Sequence, residues 1–298
     1  MYLQTVTAIA VALAGTANAY PRDPSLTSRA SSIVKGKTFD RFVSIWLENT
    51  DYSKAAADPN LKWIASQGIT LTNYRAITHP SQPNYIASAG GSTHGFTSDN
   101  AGTIDASVQT IVDLLEAKGI SWAEYEQDMP SSGYTGNYNN PKTGANDYVR
   151  KHNPLISYDS INTDPSRLDK IKNFTLFESD LAANALPQWM FITPNMTNDG
   201  HDTSVTTAGA WSKSFLQPLL SNSNFLGNTL VLLTFDETES YISNNDVFSV
   251  LLGDAVPTSS HGTTDGTEYT HYSMLSTVEN NWDLGNLGQG DVGAAIFF

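Results

Sequence analysis

Two adjacent carboxylates, Asp236 and Glu237, end the run Asn228-Thr-Leu-Val-Leu-Leu-Thr-Phe-Asp236-Glu237. The residues before them are almost all apolar or β-branched, which predicts a strand buried on both faces. In an open α/β sheet the carboxyl ends of the strands form the rim where ligands bind. Two acids at such a rim lose hydration unless a cation or partner compensates them, so the pair points to a metal site. A second constellation is Thr78-His-Pro-Ser81-Gln-Pro83-Asn84-Tyr85. Pro83 suits the first turn of a helix, which sets Ser81 at a helix N-terminus where free amides favour an anion. Ser81 is then either a plain N-cap or a nucleophile activated by a neighbouring cation.

Three weaker signals accompany these. Trp46-Leu-Glu48-Asn49-Thr50-Asp51-Tyr52 puts an acid and an amide just past a strand, although the same residues serve as an ordinary helix start. Thr193-Pro-Asn195-Met-Thr-Asn-Asp199-Gly-His201-Asp202 sets a histidine beside an acid. Such a pair binds metal, holds phosphate or works as an acid/base, while a turn of Asn, Asp and Gly needs none of these roles. His271 opens the last predicted helix, where a lone histidine is more often structural. Glu48, Ser81, His201 and Asp236 each follow a predicted strand, so one sheet would gather them at one rim.

The elements that must position them alternate. Strands are predicted over 42–47, 69–77, 121–125, 188–193, 229–235 and 248–252, and helices over 54–67, 107–118, 208–220 and 272–282. This order predicts a single α/β domain with a mainly parallel central sheet and helices on both faces. Residues 129–165 interrupt it, rich in Gly, Asn, Tyr and Pro and long for a loop in a compact domain. They carry Lys142, Arg150, Lys151 and His152, and read either as a solvated excursion or as a lid lending positive charge to an anion.

Residues 1–19 read as a secretory leader, with an apolar run over 5–15 and the small-x-small end Ala17-Asn18-Ala19. That run is too short to span a bilayer. A secreted, extracellular protein is expected, with an N-terminal extension over 20–38 and the functional domain over 39–298. Cysteine is absent, which excludes thiol catalysis and cysteine-ligated zinc. The chain is long enough to bury a core without disulfides. Asn173-Phe-Thr and Asn195-Met-Thr are glycosylation sequons. The net charge of −14 argues against nucleic acid and anionic membrane as partners, and nothing in the sequence fixes an oligomeric state.

Taken together, Glu48-Asn49, Pro80-Ser81-Gln82-Pro83-Asn84-Tyr85, Asn195 with Asn198-Asp199-Gly200-His201-Asp202, Phe235-Asp236-Glu237 and His271-Tyr-Ser-Met-Leu resemble a known pattern. It is that of the phosphoesterase family of fungal secreted acid phosphatases and bacterial phospholipases C, within the alkaline phosphatase superfamily. The resemblance spans residues 39–282 and implies an alkaline-phosphatase-like fold. It implies one divalent metal ion held by Glu48, Asn49, Asp236 and Glu237, with Ser81 Oγ completing the shell. Ser81 would attack phosphorus and carry the phosphoryl group. His201, Asp202 and His271 would face the phosphate, binding its oxygens and protonating the leaving alkoxide, with His152 and Asn100 helping to hold substrate.

Neutral Asn49 and Asn195 stand where two-metal members of the superfamily place acids or histidines. The resemblance therefore implies one metal plus histidines, and a glycan on Asn195 would conflict with that role. Oxygen-dominated ligation leaves calcium, magnesium, manganese and zinc open. Histidines that bind phosphate do so best when protonated, which gives an acid optimum. The implied activity is a secreted phosphomonoesterase acting on small phosphate monoesters. A phospholipase C-like phosphodiesterase would need an apolar groove that 129–165 does not offer. A sulfatase would need a C/S-x-P-x-R pattern, and an inactive binding protein would be expected to have lost some of these residues.

Overall fold

The computed structural model describes residues 33–298, so the predicted leader and the first part of the extension lie outside the described residues. The strands are β1 (Arg41–Leu47), β2 (Ile69–Leu71), β3 (Tyr74–Arg75), β4 (Trp122–Glu126), β5 (Tyr138–Asn139), β6 (Asn146–Tyr148), β7 (Ile171–Asn173), β8 (Trp189–Thr193), β9 (Thr229–Phe235), β10 (Ser249–Leu252), β11 (Thr263–Asp265) and β12 (Tyr269–Thr270). Eight of them form one sheet in the order β11-β2-β10-β9-β1-β8-β4-β7. Only β10 runs against its neighbours β2 and β9, so the sheet is mainly parallel, as expected. In β1, β8 and β9 every residue is buried. A strand buried at successive positions has cover on both faces of its sheet, which explains the unbroken apolar runs in these segments.

Several predicted elements are divided in the structure. The helix expected over 54–67 is two helices, Tyr52–Ala57 and Pro59–Ala65. A residue before proline avoids the helical region, and Asp58 is extended there while its Oδ1 accepts the Asn60 and Leu61 amides at 2.8 and 3.0 Å. The strand expected over 69–77 breaks between β2 and β3, which belong to different sheets. The helix expected from 107 starts at Ile111, because Thr110 and Asp113 cap it reciprocally. Ser204 starts the next long helix, Val205–Leu219, and Thr270 starts His271–Trp282.

Residues 129–165 are neither a loose excursion nor a free lid. They contain the β5–β6 hairpin and a 3₁₀ turn, Arg150–His152. Asn153 Oδ1 accepts the Leu155 and Ile156 amides. The Arg150 guanidinium donates to Ser157 Oγ and to the Gly102 and Ile156 carbonyls, each at 3.1 Å. Leu155, Ile156 and Tyr158 are fully buried, so the inner half of the segment is core.

Burial has a second consequence here. Glu124 and Glu126 on β4 are fully buried, and desolvation pushes both well above the usual carboxyl range. Glu279, in the helix His271–Trp282, is pushed up to about 8 by burial and by Asp291. A carboxyl raised in the folded state keeps its proton there and releases it on unfolding, so its stabilisation is complete at acid pH and fades as pH rises. For Glu279 the window runs from 4.5 to about 8. The melting temperature of the metal-free protein should therefore fall across this range. Glu279→Gln, which keeps a neutral hydrogen-bond donor, should flatten part of that fall in a thermal-melt series.

Candidate active site

The rim at the carboxyl ends of the central strands is laced together by backbone. The Asp236 amide donates to the Leu47 carbonyl at 2.9 Å, Glu48 to Asp199 at 3.0 Å, and Thr50 to Glu237 at 3.2 Å. These bonds fix the residues that follow β1, β8 and β9 in one place. Asn49 sits there with φ at 24°, a positive value that asparagine tolerates better than most residues. Its amide donates to Asp236 Oδ1 at 3.0 Å.

Ser81 is the first residue of the helix Ser81–Gly90, which packs against His271–Trp282. Its Oγ lies 3.1 Å from Glu48 Oε2, 3.1 Å from Glu237 Oε1 and 3.3 Å from Asn49 Oδ1. One hydroxyl proton cannot serve three acceptors at once. An oxygen-only shell of carboxylates, amide and hydroxyl is the donor set a hard cation takes.

The electrostatics agree. Glu48, Asp199, Asp236 and Glu237 are all fully buried. Burial, then Asp236 and Asp199, raises Glu48 well above the usual range, and burial also raises Asp199. Burial lifts Asp236 to about 7, and burial with the charge of Asp236 lifts Glu237 to about 9. Asp236 Oδ2 is enclosed with no hydrogen-bond donor from the described residues. Residues in this state fit a bound cation, which would relieve both their repulsion and the empty acceptor.

On its other side Glu48 meets His152, whose Nε2 is 3.3 Å from Glu48 Oε1 and whose Nδ1 is 3.5 Å from Asp199 Oδ2. Glu48, His152 and Asp199 each offer a ligand atom within 4.8 Å of the others, so this group too could hold a metal ion. Burial, reinforced by Lys151 and His201, keeps the His152 pKa well below its ordinary value. Its imidazole stacks on Tyr85, whose hydroxyl donates to Glu48 Oε1.

A sequence model of the phosphoesterase family matches residues 28–285. The chain belongs to that family. It is 53% identical to an acid phosphatase of Aspergillus fumigatus, in an alignment covering 96% of this chain and 67% of that protein. It is 56% identical to a phosphate-repressible acid phosphatase of Penicillium chrysogenum, covering 89% of this chain and 64% of that protein. The chain thus spans about two-thirds of the length of these curated relatives. Among solved structures, a protein of the alkaline phosphatase superfamily from Vibrio parahaemolyticus aligns with a TM-score of 0.52 at 13% identity, covering 87% of this chain and 70% of that one. That likeness is one of fold, and the fold is alkaline-phosphatase-like.

The phosphoesterase rim gathers some expected residues and leaves others aside. Glu48, Asn49, Ser81, Asp236, Glu237 and His152 come together. His201 stands at the edge, partly exposed, with Nδ1 2.8 Å from Asp202 Oδ1 and Nε2 3.5 Å from Lys151 Nζ.

His271 does not face outward as expected. It is fully buried, its ring against Trp46 at 4.3 Å, and burial lowers its pKa to about 4. Nε2 donates to the Asp236 carbonyl at 2.6 Å, which leaves Nδ1 to accept from the Tyr74 hydroxyl at 3.3 Å. It braces the turn that carries Asp236 and Glu237 from behind. Asn100 is exposed, and its carbonyl accepts from Gln82 Nε2 at 2.8 Å. The neighbouring Asp99 is the residue that reaches the helix start, accepting the Gln82 amide at 3.0 Å. That amide is consequently not free for an anion, and Pro83 has none, so the helix N-terminus is a poorer anion site than its sequence suggests. Asn195 lies in a turn, its backbone carbonyl accepting the Asp199 amide at 2.9 Å and its side chain bonded to Asp128 and to the Asn198 amide.

Of four further rim residues, Asp199, His79 and Tyr85 stand inside the quoted motifs without an assigned role, and Lys151 reads only as one of the basic cluster in residues 129–165. Asp199 sits in the quoted turn without a distinguishing signal. His79 pairs through Nδ1 with Glu237 Oε2 and stacks under Tyr241 at 4.0 Å. Lys151 donates to Asp99 Oδ2 at 3.0 Å; burial works to lower its pKa, but Glu48 and Asp99 outweigh that and raise it. For Tyr85 the usable signal is spacing, since a residue four after Ser81 shares its helix face.

Proposed function

We propose that this chain carries the active site of a secreted acid phosphatase that hydrolyses small phosphate monoesters through Ser81. The single observation that carries this reading is Ser81 Oγ held within 3.1–3.3 Å of Glu48, Asn49 and Glu237 at the sheet rim. Kinship with fungal acid phosphatases supports the substrate class. The leader pattern of residues 1–19 supports secretion, and no described helix is long and apolar enough to cross a membrane.

A divalent cation held by Glu48, Asn49, Asp236 and Glu237 would supply charge stabilisation for the phosphoryl group and for an ionised Ser81. The chain's own residues do the rest. Ser81 gives its proton to a neighbouring carboxylate as Oγ bonds to phosphorus and the ester P–O bond breaks in line. Lys151, held by Asp99, faces the phosphoryl oxygens as a fixed positive charge. His201, oriented by Asp202, gives the leaving alkoxide its proton. A water molecule then attacks phosphorus, His201 recovers a proton from it, and the P–Oγ bond breaks as the carboxylate returns its proton to Ser81 Oγ. His152 orients Glu48, and His271 holds the Asp236 turn.

Hydrolysis of p-nitrophenyl phosphate, its bis-ester and a phospholipid, with and without a chelator, tests this function. The expected result is chelator-sensitive turnover of the monoester, at least about 100-fold faster than either diester, a difference of about 2.7 kcal/mol in barrier. A diester turned over as fast as the monoester would contradict it.

A further inference from the structure

Between β9 and β10 the chain makes a loop over residues 238–245 whose base is pinned on both sides. The Thr238 amide donates to Asn245 Oδ1 at 2.9 Å, the Asn245 side-chain amide to the Thr78 carbonyl at 2.9 Å, and the Ser240 amide to Asp51 Oδ1 at 3.0 Å. The tip held in this way carries Tyr241 and Ile242, two large apolar side chains that stay exposed, Tyr241 at 60%. One face of the Tyr241 ring lies on His79, with centroids 4.0 Å apart and planes tilted by 25°. His79 in turn pairs with Glu237 Oε2, and Glu237 Oε1 is 3.1 Å from Ser81 Oγ. Two side chains therefore link the phenol to the nucleophile.

The charges that reach the phenol agree with this position. Burial, then Glu237, Asp99 and Asp236, raise the Tyr241 pKa above its ordinary value, and Lys151 opposes them. Glu237 touches Ser81 and Asp99 holds the amide of the next residue, so Tyr241 stands among groups that surround the nucleophile. Ser81 itself is buried. In-line displacement sets the leaving oxygen opposite Oγ, so the alcohol half of the ester projects outward from the rim. Asn49, Asp99, Lys151, His201 and Asp202 offer it charge and amide, whereas Tyr241 offers apolar surface. That surface faces water in the free protein, and covering it with a second apolar group is favourable.

We infer that Tyr241 is a specificity-determining residue: its ring, propped on His79, packs against the alcohol half and favours esters of aryl-bearing alcohols. The inference rests on the monoesterase reading above, with phosphorus at Ser81. Because the loop base is already fixed, the ring is in place before substrate arrives, and little ordering cost offsets the contact.

The experiment compares kcat/KM for 2-phenylethyl phosphate and ethyl phosphate, two esters of unactivated primary alcohols. The native protein should prefer the phenylethyl ester by about three- to tenfold, the range of one aromatic contact, with the difference mainly in KM. Tyr241→Ala should bring that ratio close to one, and Tyr241→Phe, which keeps the ring, should preserve it. The ratio cancels any loss that removing the ring causes through His79 and Glu237, because both esters share it. Tyr241 is exposed at a loop tip, and a thermal melt of each variant confirms folding. A native ratio near one, an unchanged ratio in Tyr241→Ala, or equal loss of the ratio in Tyr241→Ala and Tyr241→Phe would overturn the inference. Turnover of neither ester would overturn the monoesterase reading, and this inference with it.

Discussion

Ser81→Ala should lower kcat for phosphate monoesters by about 10⁴- to 10⁶-fold, the range seen when a nucleophile is removed from a preformed site. Ser81 is buried at the start of its helix and does not cap it, since the N-cap is Pro80. Losing Oγ should therefore cost the helix little. What disappears is the atom that forms the bond to phosphorus, together with the hydroxyl that lies among Glu48, Asn49 and Glu237. KM should change far less than kcat, because Lys151 and His201 remain to bind the phosphate. Steady-state kinetics with a thermal melt as folding control reads both quantities. A loss below about tenfold in kcat would mean that another group, or water directly, attacks phosphorus.

The second large effect belongs to Asp236→Asn. The amide oxygen can still accept from the Asn49 backbone, as Asp236 Oδ1 does at 3.0 Å, so the local shape survives. The charge does not. Four buried carboxylates become three, which eases repulsion in the metal-free protein and weakens the grip on a cation. Activity should fall about 10³-fold or more, and metal content should fall with it. In the native protein a ligand at 100 times its Kd stabilises the fold by about 2.7 kcal/mol, worth about 5 °C in melting temperature for a chain of this size. Chelator should remove that increment from the native protein and change nothing in Asp236→Asn. The metal-free variant should melt no lower than the metal-free native protein. Full metal content in Asp236→Asn would shift the ion toward the Glu48–His152–Asp199 group.

The parts of this site that the sequence reveals share one property: the signal is local. Asp236 and Glu237 close an apolar strand, Glu48 and Asn49 follow another, and Ser81 opens a helix, so a linear reading finds them and the parallel sheet gathers them. His152 reaches Glu48 only because residues 146–158 fold back into the core, and no local pattern encodes that return. Asn100 stays exposed and meets the helix start only through its backbone carbonyl, while its neighbour Asp99 accepts the Gln82 amide, a difference that only tertiary contact decides. His271 opens a helix as expected, but Trp46 and the Asp236 carbonyl take its ring inward. In the fold, the long strands β1, β8 and β9 were legible from their apolar runs. The three-residue strands β7 and β11 were not, because so short a segment carries no period.

The stereochemical course at phosphorus tests the role of Ser81 most directly. An isotopically chiral phosphate monoester, with a second alcohol as phosphoryl acceptor, reports whether one displacement or two has occurred. Two in-line displacements, the first by Ser81 Oγ, give net retention of configuration, and retention is the expected result. Inversion would mean a single direct attack by the acceptor and would contradict a phosphoryl group carried on Ser81.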